Sequence, residues 1–323
     1  MARPGPEAVN GAMTLQSAAP TEIPAGIAVR EQNRRHLRGM IHGAVGMAIF
    51  AGSLPATRLA VLGLDTGFVT AGRAAIAGLI SVALLLATRP KLPTPREFLA
   101  LAVVAGGVVL GFPLLTAIAL RSVPAAHAIV FVGMLPLATA LFAVWRGGER
   151  PRAAFWPWAV AGSAAVAGYA LYHATRGDSG SGLVAPDLLM LAAIIVCGLG
   201  YAEGSRLSRR LGSWQIICWA LVLSLPVSLA FTIARWPVTL GAVPASSWLG
   251  FGYVSLFSML IGFFFWYRGL ALGGAARVGQ VQLLQPFLGL GLAAAILGER
   301  ISADILLVVL AVVLCVWQAR KHA

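Results

Sequence analysis

The chain has 323 residues, of which 59% are hydrophobic and 11% charged, and its formal net charge is +13. Soluble domains carry roughly 25% charged residues, so this composition excludes a water-soluble fold: too few charges are present to cover its apolar surface. The arginines stand singly or in small groups between long apolar runs instead of forming a stripe, which excludes a nucleic-acid interface and reads as loop chemistry beside a membrane.

Residues 1–38, rich in Pro, Ala and polar residues, read as a disordered cytosolic tail. Its last stretch, "NRRHLRG", reads as a basic anchor that keeps the start of the first span in the cytosol, in preference to an export signal. A bilayer core of about 30 Å needs about 20 helical residues. On that measure ten spans follow, at about 39–62, 67–88, 97–119, 123–145, 153–173, 187–206, 213–234, 246–268, 274–297 and 301–318. With the N-terminus inside, seventeen Lys and Arg fall in cytosolic segments and five outside, namely Arg58, Arg121, Arg176, Arg235 and Arg300. That asymmetry follows the positive-inside rule and places both termini in the cytoplasm, with a bacterial inner membrane as the expected location. Cys197, Cys218 and Cys315 each lie within an apolar run without metal-ligand spacing and read as packing residues.

A displacement of 150 residues lays Leu120, Ala125, Ala126, Pro136, Ala143, Gly148, Glu149 and Arg150 on Leu270, Ala275, Ala276, Pro286, Ala293, Gly298, Glu299 and Arg300. Near the start of each half, "GSLPATRL" at 52–59 falls on "GSRLSRRL" at 204–211. The expected fold is therefore an all-α membrane protein of about ten transmembrane helices in two five-helix repeats, 39–173 and 187–318. Five spans are an odd number, so the second repeat is expected to enter the membrane inverted, an arrangement typical of secondary transporters.

The stretches "AGRAAIAG" in the second span, "MLPLATALFAVWRGGER" in the fourth and "LLQPFLGLGLAAAILGERIS" in the ninth resemble the repeated module of the EamA branch of the drug/metabolite transporter superfamily. The resemblance covers residues 39–318. It implies ten helices around a central cavity and export of small metabolites, often amino acids or related compounds. One departure is Pro151 after the first "GGER". Another is the cluster of glutamines in the ninth span, more polar than the module is there.

Those glutamines are the first candidates for substrate contact. Gln282 and Gln285 are three apart and share a helical face, with Gln280 beside them; amides are costly in lipid and are expected to face a cavity or another helix. Pro136 and Pro286 occupy matching repeat positions, and each deprives the carbonyl one turn earlier of its helical donor, which points to a shared kink or gating role. His127, whose repeat partner is Arg277, reads either as a hydrogen-bonding group near one mouth of the cavity or as an interfacial residue after Pro124. Arg73, about 9 Å inside the second span at 1.5 Å per residue, either meets a substrate carboxylate or snorkels to the surface. Phe131 and Tyr201 read as pocket walls. Glu203 reads as a proton-coupling carboxylate or as one half of an i,i+3 pair with Arg206. Glu149 and Glu299 read as boundary residues paired with the adjacent arginine, and Trp266 and Tyr267 as boundary anchors. Close helix contacts are expected at Gly107 and Gly111, Gly200 and Gly204, and Gly269 and Gly273.

These residues describe a secondary transporter with a small-molecule substrate and the lipid bilayer as partners, as a monomer or homodimer. No Walker sequence, cofactor motif or metal-ligand cluster is written in the chain, and the five histidines are scattered, so catalysis is not expected. A permease for drugs or other metabolites, working inward or as a facilitator, is the alternative; a channel or a membrane-embedded enzyme ranks behind it.

Overall fold

The computed structural model describes residues 25–147, 152–175, 185–237, 243–273 and 278–321. Among them there is helix and no strand. The helices are α1 (Ala25–Ala51), α2 (Ser53–Gly63), α3 (Thr66–Thr88), α4 (Pro95–Val104), α5 (Phe112–Ser122), α6 (Ala125–Val132), α7 (Leu135–Gly147) and α8 (Phe155–Thr175) in the first half. The second half holds α9 (Ala185–Leu211), α10 (Gln215–Ala234), α11 (Ala245–Tyr253), α12 (Gly262–Gly273), α13 (Gln285–Leu297) and α14 (Ala303–Lys321). π-helical stretches join α4 to α5 at Ala105–Gly111 and α11 to α12 at Val254–Ile261, and a 3-10 stretch, Gly279–Leu284, leads into α13.

Seven continuous helical stretches of the described residues are long and apolar enough to cross a membrane: Glu31–Gly63, Thr66–Thr88, Pro95–Ser122, Ala125–Arg146, Ala185–Ser208, Gln215–Ala234 and Ala245–Leu272. Val281–Leu297 and Ala303–Gln318 are shorter apolar helices. The expected tail differs from the structure in part. Residues 1–24 lie outside the described residues, but 25–38 are the first turns of α1, since "AGIAVREQNRRHLR" contains no proline and only one glycine, at its second position, and is rich in residues that favour helix.

The element boundaries repeat with the sequence. α4, α5 and α7 begin at 95, 112 and 135, and α11, α12 and α13 begin at 245, 262 and 285, each 150 residues later. The two π-helical stretches also fall on one another at that displacement. Sequence copies have thus been folded into like elements, irregularities included. Packing follows the same exchange. α3 lies along its counterpart α10 and α8 along α14, while α1 against α12 is matched by α9 against α5 and the first π stretch.

Small residues permit the tightest of these contacts. A methyl group on Gly107 would sit 2.3 Å from the carbonyl oxygen of Val196 and 3.6 Å from the Gly200 Cα, so two of the glycines singled out by spacing face each other across the π stretch and α9. On the other side, a methyl group on Gly269 would meet the Gly43 nitrogen at 2.7 Å, which brings α12 against α1. Trp266 and Tyr267, expected at a boundary, are instead core residues, 2% and 1% exposed. Trp266 backs onto Gly46 of α1 and Tyr267 reaches over Gly204 of α9, because the close α1–α12 packing turns that face of α12 inward.

Candidate functional site

The irregular points of the helices converge. Phe50, Ser53 and Leu54 come from the break between α1 and α2 at Gly52. Val108 comes from the first π stretch and Ser258 and Met259 from the second. Leu135 and Gln285 are the first residues of α7 and α13. All of them line one cavity, completed by Arg73 of α3, Phe112 and Pro113 of α5, Cys197 and Tyr201 of α9 and Phe263 of α12. In lipid, irregular backbone is tolerated where it is buried in protein or lines a cavity, and π stretches recur at functional sites. The cavity also sits on the seam between the repeats. Val108 with Ser258, Pro113 with Phe263, and Leu135 with Gln285 are pairs related by the displacement of 150. In the first and third pairs the second repeat supplies the polar member.

Pro136 and Pro286 are each the second residue of their helix, directly after the Leu135 and Gln285 that the breaks put on the cavity. A proline is accommodated there because the N–H it lacks has no partner in a first turn, and the missing bond to the residue four earlier is what separates α7 from α6 and α13 from its 3-10 lead.

Arg73 is 5% exposed and does not reach the surface. Its Nη2 donates to Ser258 Oγ at 2.9 Å, and Ser258 Oγ lies 2.7 Å from Ser53 Oγ. Its Nε has no acceptor. Tyr201 meets the Phe263 ring edge-on at 6.2 Å, and Phe263 in turn packs against Phe50 at 4.7 Å.

Other expected site residues stand elsewhere. Gln282 lies in the 3-10 stretch, 4% exposed, with its Oε1 unpartnered, and does not line the cavity; the change from 3-10 to α geometry at Gln285 parts the two amides. The side chain of Gln280 lies outside the described residues. Phe131 is buried against His127, with ring centres 5.8 Å apart. His127 Nε2 is 2.6 Å from Asp187 Oδ1 and its Nδ1 is 3.2 Å from the Tyr169 hydroxyl, so it ties α6 to α8 and to the start of α9. About 24 Å further along α9, at 1.5 Å per residue, Glu203 has a fully buried side chain. Arg146 Nε of α7 donates to it at 2.5 Å and Arg206 Nη2 lies at 3.0 Å.

The second "GER" is more than a boundary. Gly298 adopts a left-handed conformation, φ +66°, and ends α13. Glu299 then turns toward α6 and accepts from the N–H groups of Ala125 and Ala126, each at 2.8 Å. Those are orphan donors at a helix start, where a carboxylate is also favoured by the helix dipole. Sequence reasoning paired Glu299 with its neighbouring arginine and missed this contact; the coincident repeat of Ala125, Ala126 and Glu299 was the available signal. Glu149, Arg150 and Arg277 lie outside the described residues.

A helical membrane protein with broken helices meeting at a largely apolar cavity with a few polar groups, between two repeats, has the architecture of a carrier. The EamA-like transporter family matches residues 37–171 and again 184–318, and the chain belongs to that family. A protein of Bacillus subtilis (strain 168) named "Uncharacterized transporter YdeK" is 57% identical over 285 residues, 88% of this chain and 98% of that protein. A solved crystal structure with 20% identity superposes with a TM-score of 0.61 over 87% of this chain and 96% of its own, a likeness of fold.

Proposed function

We propose that the chain is a secondary transporter of the bacterial inner membrane that exports amino acids or related small metabolites by alternating access. Ten spans, with α8 and the two shorter apolar helices added to the seven long ones, form two five-span repeats of opposite orientation. The positive-inside bias supports cytoplasmic termini. The observation that carries the reading is the convergence of five helix irregularities on one cavity at the seam of the repeats, the place where carriers built from repeats hold substrate.

Arg73, Tyr201 and Gln285 are assigned to substrate contact. Pro136 and Pro286 are assigned to the hinges. His127 with Asp187, and Glu203 with Arg146 and Arg206, are assigned to closure at opposite ends of α9. Two guanidiniums on one carboxylate support a latch at Glu203.

Inside-out vesicles carrying the chain test the reading. Saturable uptake of a labelled amino acid or related metabolite, reduced in Gln285→Ala, is the expected result. Absence of uptake of every such compound, with the protein correctly inserted, would overturn it.

A further inference from the structure

Within that reading, which this inference rests on, the cavity has an unbalanced charge. Among the described residues, Arg73 is the only Lys, Arg, Asp or Glu that lines it. Among the described residues no carboxylate lies within ion-pair distance of its guanidinium, and Ser258 Oγ is its one hydrogen-bond acceptor. The acidic groups of the surrounding helices are engaged elsewhere. Asp65 pairs with Arg235, Glu97 caps α4 beside Arg210, Asp187 holds His127, Glu203 holds two arginines and Glu299 caps α6. A guanidinium has five donors and stays charged, so four of them and one full charge remain to be met inside a wall of Phe50, Phe112 and Phe263.

A buried charge without a counter-ion is costly. An occupant bearing one carboxylate cancels it. The planar fork of an arginine matches a carboxylate in two parallel bonds, and the free Nε–H is one of the donors such a pair uses. The Ser258–Ser53 hydroxyl pair lies beside it as a further donor or acceptor. The same bookkeeping separates two kinds of acid. An amino acid brings a carboxylate and an ammonium, and the occupied cavity keeps a net charge of +1. An acid without an ammonium leaves it neutral. Among the described residues no Asp or Glu lines the cavity to receive an ammonium; Gln285, Tyr201 and the serines offer only dipoles.

We infer that the cavity is a site for a small monocarboxylate that carries no free ammonium, its carboxylate on Arg73 and Ser258 and its apolar or aromatic body among Phe50, Phe112 and Phe263. Of the amino acids and related small metabolites in the proposed substrate class, this keeps the deaminated or N-blocked relatives and similar organic acids and removes the amino acids themselves.

Binding to the purified full-length chain in nanodiscs, read by tryptophan fluorescence, separates the possibilities with three probes of one shape: 3-phenylpropionate, phenylalanine and 3-phenylpropanamide. The acid is expected to bind at least tenfold more tightly than either of the others. Arg73→Gln is expected to remove that preference and leave the amide unchanged, and Ser258→Ala to weaken the acid severalfold. Equal or tighter binding of phenylalanine by the unaltered protein would overturn the inference, as would its failure to bind the acid; neither outcome depends on a variant that folds. Retained acid preference in a folded Arg73→Gln protein would also overturn it. Counterflow of labelled 3-phenylpropionate in proteoliposomes is the separate arm. Selective binding without counterflow removes the transport reading and keeps the site, whereas counterflow of phenylalanine in preference to the acid keeps the transport reading and removes the site.

Discussion

Replacing Glu299 by Gln tests how the two repeats are held together. Its carboxylate accepts two backbone N–H groups, from Ala125 and Ala126, both at 2.8 Å. Hydrogen bonds to a charged group contribute about 1.5–3 kcal/mol each, and stranding a buried donor costs a similar amount. Glutamine keeps one carbonyl oxygen for one N–H but turns its NH2 toward the other, so one bond is lost and donor faces donor. The interaction with the α6 dipole, about 0.3–1 kcal/mol, goes with the charge. The expected loss is about 2–4 kcal/mol. At roughly 2 °C per kcal/mol for a chain of this size, unfolding of purified protein followed by intrinsic fluorescence moves down by about 4–8 °C. The neighbouring Arg300→Gln is the control and is expected to change stability by less than about 0.5 kcal/mol, the range of an exposed substitution. If Arg300→Gln matches Glu299→Gln, or if Glu299→Gln leaves the transition where it was, the cap does not hold α6 and the reasoning fails.

Gly107→Ala would put a methyl group 2.3 Å from the Val196 carbonyl and is expected to cost about 1–3 kcal/mol by overpacking, measured by the same unfolding assay. At Glu203 the two directions of disruption differ. Glu203→Gln leaves two half-exposed arginines that water can solvate and is expected to cost about 1–2 kcal/mol, whereas Arg146→Gln with Arg206→Gln strands a fully buried carboxylate and is expected to cost about 3–5 kcal/mol. A cycle of His127→Ala and Asp187→Asn is expected to show a coupling of about 1–2 kcal/mol, within the range for contacting polar pairs; additivity would mean the 2.6 Å contact carries no energy. Pro286→Ala restores a backbone donor at the second residue of α13 and is expected to leave the protein folded while slowing vesicle uptake at least tenfold; unchanged uptake would remove the hinge assignment.

Much of the architecture is legible one residue at a time. The bilayer acts as a solvent whose thickness appears as the length of apolar runs, so composition and run length place the chain in a membrane. The repeat is legible for a different reason. Two copies of one module keep the positions of the residues that break and cap helices, and Pro136 with Pro286 announces the breaks that the helices show. Even the close approach at Gly107 and Gly200 follows from small residues at helical spacing. The site was only half legible. Arg73, Tyr201 and Gln285 line the cavity, while Gln282 falls away from it because a 3-10 stretch interrupts the helical face that spacing alone would give.

What only the tertiary structure decided is which polar groups meet. Arg73 and Ser258 are 185 residues apart, Ala125 and Glu299 are 174 apart, and His127 and Asp187 are 60 apart. Span and repeat are consequences of local chemistry against a uniform apolar solvent, and the sequence carries that chemistry directly. Pairing is a consequence of how helices lean on one another. It depends on the summed packing of small residues along α1–α12, α3–α10 and α5–α9, so a carboxylate assigned by its neighbours in the chain to Arg300 finds its donors at the start of a helix in the other repeat.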